Sequence, residues 1–359
     1  MEEHTRHVAR GLQERGVRVE IWTPDRGERL GMQEVDGIRV RYLPTPLPAR
    51  KLSSLSSLVV QAPATGTAWF EAWRAFRPDL LHVQCFGPNG TYALGLALLS
   101  RRSLVLSSHG ETFMDDHDIF ERSALQRRAL AMACGRAEVV TGCSTMVAQD
   151  LQQRFGAGEV QVVPNGVVLD PVASSRPATQ EEQVVLAAGR VVEKKGFDLL
   201  IRAAQAFPPH ARVQIVGEGP GQKGLEKLAT ELGIRSRIDF LGRKDAGEVQ
   251  RLMAKADVVV VPSRVEAFGI VVLEAWASGT PLVATTRGGP ADLVTDGVDG
   301  RLVDPEDTTA LARAVVQLLS DREKSRRMAT RGLETVRRFT WDRVVDAYMQ
   351  IYGSVQSGR

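Results

Sequence analysis

Two α/β domains, each a parallel sheet covered by helices, are the fold class that the sequence predicts. Three observations lead there. The chain has 359 residues, enough for two domains of ordinary size. Short apolar strands alternate with helical stretches in two successive series, the pattern of a parallel sheet buried on both faces. Between the series, residues 169–183 are rich in Pro, Ser and charge and carry no apolar period, so they read as a linker. The expected division is a first domain over 1–168, a second over 184–339 and a closing helix over 340–359.

In the first series, Glu2 to Arg15 has Val8 and Leu12 at helical spacing, and Gly16 is a stop signal. Val17 to Trp22 and Gly37 to Leu43 alternate like strands, the second ended by Pro44 and Pro46. Ser53 to Phe76 reads as helix with a break near Pro63. The strands Pro78–Gln84, Leu104–Ser107, Val139–Thr141 and Val160–Val163 then alternate with the helices Thr91–Leu99, Ile119–Cys134 and Thr145–Phe155. In the second series the strands are Val184–Ala188, Arg212–Val216, Ile238–Leu241, Asp257–Val261, Pro281–Ala284 and Gly300–Val303. The helices are Phe197–Ala206, Gly221–Leu232, Gly247–Lys255, Ile270–Ala277 and Thr308–Leu319, followed by Arg322–Arg338 and Trp341–Val355. Two such domains imply a cleft at their C-terminal strand edges, where α/β ligands bind.

Composition narrows the function. Hydrophobic residues make up 43% and charged residues 25%, which excludes disordered and fibrous classes. Lys and Arg number 46 against 43 Asp and Glu, an excess too small to make nucleic acid the main partner. No apolar run reaches the roughly 18 residues of a membrane span. The opening Met-Glu-Glu-His is not a signal-peptide pattern. Cys85, Cys134 and Cys143 lack CxxC spacing, so neither a disulfide framework nor a structural zinc site is expected. The expected location is the cytoplasm, with any membrane contact peripheral at its inner face.

Three loops carry chemistry. The first is Pro262-Ser263-Arg264-Val265-Glu266-Ala267-Phe268-Gly269-Ile270, followed by Glu274. It leaves a buried strand and enters a helix, so the N–H groups of Phe268, Gly269 and Ile270 open toward an anion. Glu266 lies at the cleft edge. Glu274 suits a ribose diol, or else merely caps and solvates its helix. The second is Gly189-Arg190-Val191-Val192-Glu193-Lys194-Lys195-Gly196, a basic loop after a strand. Arg190 can fork onto phosphate oxygens and Lys195 adds a point charge, stabilising a departing diphosphate; a solvated turn is the bland alternative. The third is Ser107-Ser108-His109-Gly110-Glu111, where His109 either bonds a sugar hydroxyl or is a satisfied loop histidine.

Weaker features surround these. Gly217 to Gly221 is a loosely phosphate-like turn, and Gly242-Arg243-Lys244 ends a strand near the expected nucleotide pocket. Gly288-Gly289-Pro290 reads as a mobile loop near the sugar. Asp116 and Asp118 have the spacing of a metal–diphosphate site but precede a helix rather than end a strand, and are discounted. There is no GxGxxG after a strand and no GxSxG.

Together these elements resemble the family 4 retaining glycosyltransferases of the GT-B fold, two Rossmann-like domains facing across a cleft. The resemblance runs from Glu3 to about Tyr352. It includes Glu266 and Glu274 as the EX7E pair, Gly189 to Gly196, Val163 to Val167, Val216 to Pro220, Gly279 to Thr285 and Asp296 to Val303. It implies a nucleotide-diphosphate sugar as donor, a hydroxyl acceptor (glycan, lipid-linked or small molecule), retention of configuration and no metal or other cofactor. Arg190 and Lys195 would bind the diphosphate, with Gly189, Gly217, Arg243 and Lys244 around it. Glu274 would hold the ribose. Glu266 and the amides of Phe268, Gly269 and Ile270 would bind sugar hydroxyls and phosphate. His109 would touch the donor sugar, and the closing helix would cross back onto the first domain.

The chain departs from the family pattern in three places, the mildest being Arg15-Gly16-Val17 where the family has Arg-Gly-His, a packing change. Gln84 stands where the family's strand carries a second histidine after His82, which leaves His82 a structural or acceptor-side role. The family's first strand and Gly-rich loop, which precede the helix that here begins at Glu2, are not found. Two alternatives therefore stand beside an active transferase: a truncated or degenerate relative that only binds nucleotide sugar, and a GT-B nucleotide-sugar epimerase.

Overall fold

A computed structural model describes residues 2–28, 30–47, 52–115, 118–169 and 182–357. The chain divides into two units, Met1–Pro164 with Trp341–Arg359, and Asn165–Thr340. The first break therefore comes earlier than residue 168. The cause is local: the Val167 amide donates to the Phe339 carbonyl at 2.9 Å, and Val167 bridges to Thr340, which ties this stretch to the second unit. Of the expected linker, 170–181 lies outside the described residues, while Gln183 already belongs to a strand.

The first unit opens with α1 (Glu2–Glu14) and β1 (Glu20–Pro24), followed by β2 (Met32–Val35) and β3 (Ile38–Leu43). The last two form a hairpin turned at Asp36 and Gly37, whose φ of 51° and 76° suit the mirror-image turns that match strand twist. β2 escaped the sequence reading because it is exposed along its length and has no apolar alternation. Next comes α2 (Leu52–Phe76), which runs through Pro63 instead of breaking there. Beyond that proline, Trp69 and Ala72 are buried against Leu43, and this packing holds the helix course.

There follow β4 (Leu80–Gln84), α3 (Pro88–Ser100), β5 (Ser103–Ser108), α4 (Glu111–Met114), α5 (Ile119–Arg122), α6 (Ala124–Arg136), β6 (Val139–Gly142), α7 (Thr145–Phe155) and β7 (Val160–Val162). The helix expected over 119–134 is split at Ser123. Its hydroxyl accepts the Gln126 amide and caps α6.

The strands of this unit form two sheets, β1-β3-β2 and β4-β5-β6-β7. Among the described residues β1 pairs only with β3, and β4 only with β5. Each therefore keeps one edge without a ladder partner. A cavity of about 1070 Å³ is lined by all of β1 and β4, by Val8 and Leu12 of α1, and by Trp69 and Ala93. An edge strand exposes its N–H and C=O groups to solvent. Hydrogen exchange should therefore be faster in β1 and β4 than in β5, which is buried at every residue and paired on both sides. Equal protection would show that the edges are sealed in solution.

The second unit is a regular series. It comprises β8 (Gln183–Ala188), α8 (Phe197–Ala203), β9 (Ala211–Val216), α9 (Gln222–Glu231), β10 (Ile238–Gly242), α10 (Ala246–Lys255) and β11 (Val258–Val261). It continues with α11 (Ile270–Ala277), β12 (Leu282–Thr285), α12 (Pro290–Leu293), β13 (Arg301–Val303), α13 (Thr308–Ser320) and α14 (Arg322–Thr335). The six strands are parallel in the order β10-β9-β8-β11-β12-β13. Val185, Val213, Ile215 and Val260 meet Leu200, Leu311 and Val315 in one core. The order reverses between β8 and β11. At such a switch point two consecutive connections leave on opposite faces and open a crevice at the carboxyl edge.

The final helix, α15 (Trp341–Ser357), belongs to the first unit. Val344, Val345, Tyr348 and Ile351 pack with Val8 and Leu12 of α1. Arg15 pairs with Asp342 at 3.2 Å and Asp346 at 2.8 Å across the same contact.

Candidate functional site

Both charged loops singled out in the second series leave the strands that flank the switch point. Gly189 and Arg190 follow β8; Pro262 to Glu266 follow β11. Three strand ends meet at this edge through backbone bonds. The Gly189 amide donates to Val216, and the Gly217 amide donates to Gly242, both at 2.9 Å. After Arg190 the chain makes a single 3-10 turn, Glu193–Lys195, and enters α8. That turn aims Lys195 toward the β11 loop. Its ammonium donates to Glu266 Oε2 at 2.6 Å, and the Ser263 hydroxyl donates to the same oxygen at 3.0 Å.

The Lys195–Glu266 pair is largely out of water, with side-chain exposures of 19% and 9%. Removing one member of a buried pair leaves an uncompensated charge, at a cost of about 3–5 kcal/mol. Its ammonium and carboxylate are both groups that an incoming anion or hydroxyl can recruit.

Two backbone bonds fix Glu266 from the other side. Its amide donates to Arg287 at 3.1 Å, and its carbonyl accepts from Gly289 at 2.9 Å. The segment Gly288 to Pro290 is therefore tied to the site rather than a free loop, and Pro290 starts α12. Three residues on, Gly269 (φ 94°) caps α11, and the first-turn amides of Gly269 and Ile270 have no intrahelical carbonyl. A helix opening of this kind favours negative charge.

Glu274 lies in the middle of α11, and desolvation pushes its carboxyl up to about 7. If it grips a ribose diol, its oxygens accept both hydroxyl protons only when ionised. Nucleotide affinity should therefore rise as the pH climbs through 7, and Glu274→Gln should flatten that dependence. A wild-type titration between pH 6 and 8 that is already flat would remove Glu274 from the nucleotide site. Glu274→Ala should weaken binding by about 1–3 kcal/mol.

The remaining residues fall less centrally. Arg190 and Arg243 are exposed. Lys244 pairs with Glu248 at 3.5 Å, on the first turn of α10. Phe268 is buried at 4%, so only its backbone is offered.

His109 belongs to the first unit. Its Nε2 pairs with Gln84 Oε1 at 2.9 Å, its amide donates to Glu111 Oε2 at 2.8 Å, and its ring meets His4 edge-on at 4.4 Å. Glu111 also accepts the Phe86 amide and the Ser108 hydroxyl, so one buried carboxylate shapes the whole turn. Gln84, noted in the sequence as a departure, is thus the side chain that orients His109. His82 is enclosed between Tyr352 at 2.6 Å and Ser107 at 2.7 Å, and burial pushes its pKa down to about 3. That is the environment of a neutral, structural histidine. Asp116 lies outside the described residues, and Asp118 caps α5 in a left-handed conformation. None of Cys85, Cys134 and Cys143 is joined in a disulfide.

Residues that the sequence reading passed over also converge here. Arg264, between Ser263 and Glu266, forks onto Asp198 of α8 with both contacts at 2.7 Å. The signal was present in the Pro262-Ser263-Arg264 run, but its partner lies 66 positions away.

Residues 1–171 match the family profile described as Glycosyltransferase Family 4, and residues 173–335 match Glycosyl transferases group 1. The D-inositol 3-phosphate glycosyltransferase of Salinispora tropica is 32% identical over 384 residues, an alignment spanning 96% of this chain and 79% of that one. The chain belongs to the group 1 glycosyltransferase family. The lipopolysaccharide core biosynthesis glycosyltransferase LpsE of Rhizobium meliloti is 37% identical over 203 residues, covering 55% of this chain and 58% of its own length. This chain thus spans less than two thirds of that relative. Among solved structures, the sucrose-phosphate synthase of Thermosynechococcus elongatus superposes with a TM-score of 0.82 at 25% identity, covering 99% of this chain and 93% of that one. HepE of Anabaena, solved with UDP and glucose, gives 0.69 at 25% identity over 89% and 87% of the two chains. These likenesses support two Rossmann-like domains, as the sequence predicts.

Proposed function

We propose that this member of the family transfers a sugar from a nucleotide-diphosphate donor to a hydroxyl acceptor, with retention and without a metal. The observation that carries this reading is the Lys195–Glu266 pair at the switch point, beside the opening of α11. In the proposed reaction the bond between the anomeric carbon and the diphosphate oxygen breaks, and negative charge grows on the leaving group. Lys195 and Arg190 oppose that charge, so no cation need be borrowed. Glu266, released from Lys195, accepts hydrogen bonds from sugar hydroxyls. The acceptor oxygen attacks the same face and passes its proton to the departing diphosphate. His109 takes the role of a donor-sugar contact. That HepE is solved with UDP and glucose supports the donor class.

The test is a panel of nucleotide sugars with simple acceptors, read by diphosphate release and by the anomeric coupling of the product. Inverted product would end the retaining mechanism. Epimerised donor without transfer would favour the epimerase reading. A chelator should leave turnover unchanged, whereas strict Mn²⁺ dependence would restore Asp116 and Asp118 as a metal site.

The alternative is a relative that binds nucleotide sugar without turning it over. Calorimetric donor binding with no detectable diphosphate release would select it.

A further inference from the structure

Lys195 and Glu266 reach one another from loops that leave different strands and lie 71 positions apart. A separation of 2.6 Å between them requires that the two loops be registered against each other. The residues that do this are neither of the pair. Arg264 lies two positions before Glu266. Its backbone amide donates to the carbonyl of Lys194, the neighbour of Lys195, at 2.8 Å. Its guanidinium donates to the Glu193 carbonyl at 3.0 Å, to both oxygens of Asp198 at 2.7 Å, and to Glu306 at 3.0 Å. One side chain therefore grips the start of the Lys195 turn, the first turn of α8 just beyond it, and the loop after β13.

The two loops also touch backbone to backbone. At Gly196 (φ 64°) a Cβ would lie 2.0 Å from the Pro262 carbonyl, so no side chain fits between them.

We infer that Arg264, held in plane by Asp198, is a positioning residue that sets the distance between the Lys195 ammonium and the Glu266 carboxylate. This extends the donor-site reading, because it names what keeps the diphosphate-binding and sugar-binding groups in register. The geometry favours arginine over lysine: a guanidinium bonds both Asp198 oxygens in one plane and still reaches two further acceptors, whereas an ammonium is a point charge on a flexible stem. A surface ion pair with no such role would add little stability and leave the Lys195–Glu266 distance unchanged.

The decisive experiment needs no donor. A water-soluble carbodiimide joins an amine to a carboxylate in contact with it, with loss of one water, and peptide mass spectrometry locates the amide. On the full chain the Lys195–Glu266 link should form. It should fall about five- to tenfold in Arg264→Gln, by a similar factor in Asp198→Asn, and no further in the double variant. Arg264→Lys should restore less than half of it. The Lys244–Glu248 link, from a pair 3.5 Å apart in the same unit, reports folding and should stay constant. An undiminished Lys195–Glu266 link in Arg264→Gln and Asp198→Asn would overturn the inference, as would its absence from the wild-type chain when the control link forms.

A second arm measures nucleoside diphosphate and nucleoside monophosphate affinity in the same variants. The diphosphate should weaken and the monophosphate should not. A wild-type chain that cross-links yet binds no nucleotide would retire the donor reading and leave the clamp standing. Equal weakening of both nucleotides would place Arg264 outside the registration of the diphosphate loop.

Discussion

Lys195→Ala is expected to lower kcat by about 10²–10³-fold, the scale seen when one preorganised donor to a developing anion is removed. KM for the donor should change much less. The asymmetry follows from when the charge is needed. In the resting site the ammonium is already engaged by Glu266 at 2.6 Å, so ground-state binding exchanges one charged partner for another. In the proposed transition state the diphosphate gains negative charge, and the ammonium is one of the two cations, with Arg190, assigned to oppose it. Steady-state kinetics with varied donor separate the two parameters, and a change confined to KM would move Lys195 from the leaving group to uniform binding. The variant should also lose stability, since Glu266 would stay buried with the Ser263 hydroxyl but without the cation.

Gly217→Ala should be the most damaging single methyl in the second unit. A Cβ there would lie 1.9 Å from the Gly189 carbonyl oxygen, and its φ of 134° strains any L side chain. Backbone cannot rotate aside as a side chain does, so Gly189 must move and carry Arg190 with it. The expected cost is about 2–4 kcal/mol of stability, together with a loss of nucleotide affinity of tenfold or more. Gly224→Ala is the matched control. It sits in α9 with open space around its Cβ position, and should stabilise by about 0.5–1 kcal/mol. Chemical denaturation and calorimetry on the pair read both effects. Equal behaviour of the two variants would mean that the strand ends at 189 and 217 can separate freely.

Much of the fold was legible because its signals are local. The strands Val184–Ala188 and Val258–Val261 are apolar runs between polar turns, too short for helices and, in the second, wholly β-branched, while Arg212–Val216 alternates polar and apolar residues. Ser123 shows where local reading fails: a capping serine splits a helix whose apolar spacing continues across it. Pro63 fails in the opposite sense, because packing around Trp69 overrides a residue that locally disfavours helix. β2 carried no apolar signal at all; it exists because the Asp36-Gly37 turn folds it back on β3.

The candidate site divides the same way. Lys195, Glu266, Gly269 and Glu274 could be singled out from loop position and residue type alone. Gln84 as the partner of His109, and Asp198 as the partner of Arg264, could not. A pairing between residues 25 or 66 positions apart depends on where two strands end in space.

By itself, then, the sequence determined the α/β class, the alternation of elements, the loops that carry charge and the family the chain resembles. These rest on periodicity and turn chemistry, which act over a few neighbouring residues. Only the tertiary structure decided the strand order that reverses between β8 and β11, the gap between β1 and β4, and the contact of Lys195 with Glu266. Those depend on which distant strands pair, and pairing is settled by burial of whole faces rather than by any short segment.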